Sequence, residues 1–404
     1  MPFANSASTY GSVTKTFHWL TALLILTNLP LGWVAITLAQ QVEIAPTEAL
    51  IARTTLLFSL HKTLGVTIFF VALARILWAL SQPKPGLLNG DRRLESWAAE
   101  TVHWLLYGSL VLVPLSGWVH HAASTGFAPI WGPFGQDLPL VPKSESLSET
   151  ASTLHFILQW VLTGAIAAHV AGALKHHLID GDATLRRMLP GHWPALPTAR
   201  QPGHVLPLVA ALLIWSGALV GAGALGWFAA TDRAGTPALA QVKSDWTVET
   251  GLLEFTIQQL GSTVTGSFAD WTAAITYGES ADANGKHGAV EVVIGIPSLS
   301  LGSVTQQAMG ADFFNAGAFP TAVFAADLIA TGTGPVARGT LRIRDQSVPV
   351  EMPFDLTIAG DAATATGGLR VDRRAFNLGA GVTDAKTLGF EVDIRFDLTA
   401  IRTP

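Results

Sequence analysis

The chain has 404 residues, a net charge of −5 and only 13% charged residues, and its mean hydropathy of +0.40 is high for a protein that lives wholly in water. That charge balance, with no basic run, excludes a phosphate-tracking nucleic-acid binder. With no cysteine there is no disulfide, thiolate zinc site, iron–sulfur cluster or cysteine nucleophile, so a metal or haem must be held by histidine or carboxylate.

Residues 1–15 are short and polar, without a small-residue cleavage signal, and are read as carrying no cleaved signal peptide. Apolar runs long enough to cross a bilayer are then predicted over residues 17–38, with His18 at the entry and Pro30 inside; 56–80, with His61 near the start; 102–119; and 154–174, which holds His155 and His169. A fifth run, 205–230, contains no ionisable residue and reads as an anchor. The cations Lys15, Lys84, Arg92, Arg93, Arg186, Arg187 and Arg200 fall on one side, against chiefly Arg53 and Lys143 on the other. The positive-inside rule therefore places the N-terminus in the cytoplasm and everything after Thr231 outside, which in a bacterial inner membrane is the periplasm.

Direction pairs the histidines. On the fourth run His155 and His169 share a helical face roughly 21 Å apart along the axis. His18 then lies at the inner level with His169, and His61 at the outer level with His155. Each pair offers both axial nitrogens for a b-type haem, which needs no cysteine. A lone intramembrane histidine is as readily a hydrogen-bonded structural residue, but four that pair by depth argue for ligation, and the split between two levels disfavours a zinc site. By spacing alone His176 or His177 can replace His169, although both sit at the end of the apolar run beside Lys175.

The pieces Phe17-His18-Trp19, Leu60-His61-Lys62-Thr63-Leu64-Gly65, Pro114-Leu115-Ser116-Gly117-Trp118, Leu154-His155, His169-Val170-Ala171-Gly172 and Leu185-Arg186-Arg187-Met188-Leu189-Pro190 resemble the bacterial cytochrome b561 family over about residues 8–190. The resemblance implies an all-α transmembrane four-helix di-haem bundle exchanging electrons with ubiquinone, and in one branch oxidising superoxide from the periplasmic side. It implies His18, His61, His155 and His169 as ligands of two b haems, and leaves His176 and Lys84 as candidates for quinone contact. His120 and His121, at the outer end of the third run, depart from the family pattern and are read as interfacial before redox-active.

Residues 179–203 are rich in proline, glycine and arginine and read as an inner linker; 231–242 form a second one. Beyond them the period shifts from helical to strand-like. Phe390, Val392, Ile394, Phe396 and Leu398 alternate with polar residues, and residues 348–358 repeat the pattern. About eight such strands are expected to close into an antiparallel barrel, either packed solid or holding one elongated ligand. Trp246-Thr247-Val248, Ala311-Asp312-Phe313-Phe314-Asn315 and Phe319-Pro320-Thr321-Ala322-Val323-Phe324 resemble the YceI-like domain, over about residues 244–402. That implies a lipocalin-like barrel whose apolar lumen takes an isoprenoid lipid such as a quinone tail, with Phe255, Phe268, Phe313 and Phe324 as candidate lumen contacts. Asp312 and Asn315 are expected to fix a loop, and His287 lies in a polar turn.

The expected domains are thus a cytochrome domain over 1–190, a linker with the fifth span over 191–243, and a barrel over 244–404. The leading reading is a membrane di-haem, quinone-coupled oxidoreductase with a tethered isoprenoid-binding barrel. The alternative is a membrane-anchored isoprenoid carrier whose cytochrome half is structural or senses redox state.

Overall fold

The computed structural model describes residues 2–45, 47–124, 128–201, 203–228, 239, 244–283, 285–332 and 334–403. They form two units, one of helices and one built on a β-sheet.

The helical unit holds five helices long and apolar enough to cross a membrane: α1 (Ser12–Ile44), α2 (Glu48–Leu80), α3 (Arg93–Ala123), α4 (Glu145–Lys175) and α5 (Val205–Ala224). Four of them outrun the predicted apolar segments, because polar flanks such as those at the starts of α3 and α4 continue the helical hydrogen bonding beyond bilayer length. The fifth stops short of the expected end at residue 230; residues 225–228 form turns, and 229–230 lie outside the described residues. Ser144 caps α4, its Oγ accepting from the Leu147 amide at 3.4 Å. At the other end α4 runs into one π-helical turn, His176–Asp180, which Gly181 closes at φ 66°, a conformation that suits glycine.

Leu105, Val113, Leu158, Leu162 and Ala165 pack α3 on α4 around Ala211 and Trp215 of α5. The Trp215 indole lies over Gly108, where an added Cβ would come within 2.2 Å of it, and its Nε1 donates to Ser109 Oγ at 3.3 Å. Ile25, Ile68, Ala72 and Leu110 join α1, α2 and α3. The segment after α4 is tied down: Lys15 Nζ donates to the carbonyls of Leu189 and Gly191, both at 2.8 Å, and Trp19 Nε1 donates to that of Met188 at 2.8 Å. Arg187 donates to the Gly86 carbonyl at 3.0 Å and lies over the Tyr10 ring.

The second unit is built on a single antiparallel sheet and also takes in residues 35–56, which carry the end of α1 and the start of α2. Its strands are β1 (Trp246–Gln259), β2 (Ser262–Phe268), β3 (Trp271–Tyr277), β4 (Lys286–Gly295), β5 (Leu299–Ser300), β6 (Thr321–Thr331), β7 (Gly334–Ile343), β8 (Gln346–Ala359), β9 (Ala362–Asp372) and β10 (Leu388–Arg402), with a short helix α6 (Thr305–Met309). The order is β3-β4-β6-β7-β8-β9-β10-β1-β2-β5. Burial alternates along β8 without a break, as its sequence pattern requires. The expected eight-stranded closed barrel is corrected in two ways. There are ten strands, because β2 follows β1 through a two-residue turn at Leu260 and Gly261 and β5 adds two residues. The sheet curls into a lipocalin-like half-barrel whose end strands, β3 and β5, do not pair with each other. Its curl brings β1 against β3, where the Asp245 amide donates to the Ile275 carbonyl at 2.9 Å and Trp271 covers Gly251.

Below β9 the chain turns through a short 3-10 segment that buries Arg373. Its guanidinium donates to the carbonyls of Gly389, Leu378, Gly379, Val382 and Leu388 at 2.7–3.2 Å. Burial pushes its pKa below the ordinary arginine value, and no carboxylate accepts from it among the described residues. It acts as a pin for the 378–389 loop. Leaving several buried carbonyls unpaired costs about 1–3 kcal/mol each. Arg373→Leu is therefore expected to lower barrel stability by about 3 kcal/mol or more, read as earlier proteolysis of the barrel in a urea series on the full-length protein, and Arg373→Lys to restore only part of it.

Candidate functional site

The helices carry the four predicted histidines to two levels. His18, in the second turn of α1, faces His169 on α4 with ring centroids 6.0 Å apart. His61 on α2 faces His155 on α4 at 6.2 Å. All four are half-buried. A gap of that size between facing imidazoles admits one metal centre bonded to both nitrogens at roughly 2 Å each.

The outer pair shows how its rings are held. His61 Nδ1 lies 3.1 Å from the Asn28 carbonyl and His155 Nδ1 lies 2.8 Å from the Val113 carbonyl. A carbonyl only accepts, so each Nδ1 carries the proton and each Nε2 keeps a free lone pair, the form a metal ligand needs. Both carbonyls stand four residues before a glycine, Gly32 and Gly117. An added Cβ on Gly32 would come within 2.7 Å of His61 Cε1, and one on Gly117 within 3.0 Å of His155 Nδ1 and Cε1. The glycines thus open the helix surface so that a ring can reach a carbonyl normally screened by the side chain one turn on. Pro30 and Pro114 lie in the same turns and remove helical donors there. Two nitrogens presented this way, with no cysteine in the chain, fit a bis-histidine b-type haem.

At the inner pair a third histidine appears. His103 of α3 lies edge-on to His169 at 5.2 Å, and its buried Nδ1 has no partner among the described residues. The sequence reading passed over it, although an ionisable residue inside the 102–119 apolar run is itself a signal of function.

His176 does not replace His169; it sits in the π-helical turn, its Nδ1 2.7 Å from Asp182 Oδ2 and 3.2 Å from Asp180 Oδ2. Burial pushes the Asp182 carboxyl up, but hydrogen bonds from Thr184 and His176 outweigh it and leave the pKa below its usual value. Lys175 and Arg92 pair with Asp180 and Glu95 beside it. Lys84 belongs to a different group, paired with Glu100, whose other oxygen takes His204 Nδ1 at 2.7 Å. The two quinone candidates are therefore not brought together. His120 exchanges contacts with Ser148, its Nδ1 2.8 Å from the hydroxyl, and so ties α3 to α4; the His121 ring lies against it at 4.5 Å, tilted by 53°.

In the sheet unit Phe255, Phe268 and Phe313 line one cavity of about 140 Å³ and Phe324 lines a second of about 160 Å³. Asn315 adopts a left-handed turn at φ 48° and fixes its loop, and the Asp312 carbonyl accepts from Gly379 at 2.7 Å. His287 stacks on Tyr277 at 5.3 Å.

Comparison with known proteins follows the same division. The model of the prokaryotic cytochrome b561 family matches residues 9–191, and that of the YceI-like domain matches residues 242–400. The chain is 31% identical over 193 residues to cytochrome b561 homolog 2 of Escherichia coli (strain K12), covering 47% of this chain and 95% of that protein. It is 26% identical over 182 residues to the probable superoxide oxidase CybB of Yersinia pestis, covering 45% and 96%. Among solved structures it is similar to Burkholderia cenocepacia BcnA, at 26% identity and a TM-score of 0.34 over 37% of this chain and 95% of that one. The YceI protein of Campylobacter jejuni matches at 18% identity and 0.32 over 43% and 98%.

Gly117→Val is expected to drive His155 off the Val113 carbonyl and lower the haem retained per purified chain, whereas valine at Gly164, where an added Cβ meets nothing, is expected to leave it unchanged.

Proposed function

The chain belongs to the prokaryotic cytochrome b561 family, whose members carry b-type haem, with a YceI-like domain joined to it, and from that membership we propose that it is a di-haem membrane cytochrome exchanging electrons with ubiquinone. Superoxide is the donor class this reading puts first. The observation that carries it is the two facing histidine pairs, His61 with His155 and His18 with His169, set fourteen residues apart on one helix, or roughly 21 Å. Such a spacing makes an electron path between the two faces of a membrane.

A b-type haem, when bound at such a pair, supplies a one-electron iron couple. The residues of this chain do the rest. His61 and His155 hold their Nδ1 protons on helix carbonyls and present Nε2 inward. Reduction of a quinone consumes two electrons and two protons, so the quinone end needs a proton-holding group. His176 pairs through Nδ1 with Asp182, and when the ring carries both protons its Nε2–H is the donor for a quinone oxygen. Lys84 is engaged by Glu100, so His176 is the better placed of the two. The depressed Asp182 pKa keeps that carboxylate charged down through mildly acid pH, and its hold on His176 is lost only as pH falls below the usual aspartate range.

In this proposal residues 1–190 are the cytochrome, 191–243 the linker with the fifth span, and 244–404 the barrel. The N-terminus is cytoplasmic in the bacterial inner membrane and the barrel is periplasmic, where its apolar lumen holds an isoprenoid such as a quinone tail. The tether raises the barrel's local concentration to about millimolar. The two apolar cavities favour, as a second reading, a membrane-anchored isoprenoid carrier.

A reduced-minus-oxidised spectrum with haem quantified per chain tests the leading reading. Two haems per chain are expected, reoxidised on adding ubiquinone; His61→Ala is expected to lose one and keep the other, and full retention with unchanged spectra overturns the ligand assignment. His176→Ala is expected to keep both haems and raise the KM for quinone about tenfold, the effect of one lost hydrogen bond to a polar ligand atom.

A further inference from the structure

The lumen of the sheet unit holds two adjoining cavities, of about 140 and 160 Å³. The two cavities share four wall residues and no others: Leu253 of β1, Ile294 of β4, Leu341 of β7 and Ile394 of β10. Ile294 and Leu341 are 9% and 4% exposed, and Leu253 and Ile394 pack against the same cluster. The pairings explain how four strands converge at one level. Leu253 lies opposite Phe396 and Ile394 opposite Phe255, which makes Leu253 and Ile394 diagonal neighbours. Leu341 lies opposite Phe324 and Ile294 opposite Ala322. The four aliphatic side chains common to both walls mark where the cavities adjoin, and this ring is termed the septum.

The chambers on either side differ. One, lined by Trp246, Trp271, Phe324 and Phe354, presents a wholly apolar wall. The other, lined by Phe255 and Phe268, also reaches Gln259, Gln307 and Thr387. An apolar cavity of roughly 150 Å³ stays dry and takes a molecule of benzene size. Each chamber of about 140–160 Å³ therefore accepts a single short prenyl segment, and a longer chain must occupy both and turn the septum aside. Leu and Ile side chains hop between staggered rotamers, so the septum opens without moving the sheet.

Resting on the reading of the barrel as an isoprenoid site, we propose that Leu253, Ile294, Leu341 and Ile394 are a chain-length filter. A one-unit prenyl group is admitted with the septum closed. A polyprenyl chain is admitted only through the opened septum, its tail in the wholly apolar chamber and its polar head toward Gln307 and Thr387.

The test uses the full-length protein in detergent and a series of prenyl alcohols from about one to eight isoprene units, with the lipid retained per chain measured by mass spectrometry. Leu341→Phe fills the septum and is expected to cut retention of the longest alcohols about tenfold, while the shortest are retained as in the wild type. That short-chain retention also shows that the variant is folded. Ile294→Ala opens the septum and is expected to raise long-chain retention by a similar factor, roughly what burying two further methylenes provides. Length profiles that match the wild type in both variants overturn the filter while leaving the lipid site standing. A wild type that retains no alcohol of any length overturns the isoprenoid reading itself, and the filter with it.

Discussion

The helical unit depends on one interaction: an imidazole Nδ1–H donated to a helix carbonyl that a glycine has left uncovered. In an apolar bundle an unpaired ring N–H is costly, and a ring that rotates freely presents neither nitrogen reliably. The Asn28 and Val113 carbonyls meet both needs for His61 and His155. They pair the proton on one nitrogen and aim the lone pair of the other across the gap. The same requirement accounts for the glycines at positions 32 and 117, for the prolines in those turns, and for the close packing of α3 on α4.

The two ends of the bundle hold their histidines with different chemistry. At the level of His61 and His155 neutral carbonyls suffice, and His120 is spent on tying α3 to α4 through Ser148. At the other end the partners are charged: Asp180 and Asp182 around His176, and Glu100 between Lys84 and His204. The π-helical turn that carries His176 departs from the α-helical repeat at that point, a feature frequent at functional sites. Glu100 also joins the start of α5 to the cytochrome bundle, through His204, while Trp215 anchors its middle over Gly108.

The sheet unit meets a related problem without charge. A curled sheet encloses more volume than its side chains fill, and its open end must be closed by a loop whose own carbonyls need donors. Arg373 supplies five hydrogen bonds to that loop, and four aliphatic side chains line both cavities of the remaining space.

Much of this was legible in the sequence. The five apolar runs, the alternation over 348–358 and 390–398, and the depth pairing of His18, His61, His155 and His169 follow from helical and strand periods and bilayer length, which are properties of a chain segment taken alone. Both family resemblances rest on local motifs and are borne out. The remainder depends on which faces meet. Periodicity places His103 on a face of α3 but does not say that His169 lies against it. It marks Lys84 as an inner cation but not as the partner of Glu100, sixteen residues on. About eight strands rather than ten are legible because a two-residue strand has no period, and the sequence pattern points to a closed barrel where the sheet is only curled because closure is set by twist and bulges. Sequence by itself determined what each segment is and which residue types it offers; tertiary structure alone decided which carbonyls are open, which charges pair and where the two cavities adjoin, because each of those is a distance between segments that no single segment encodes.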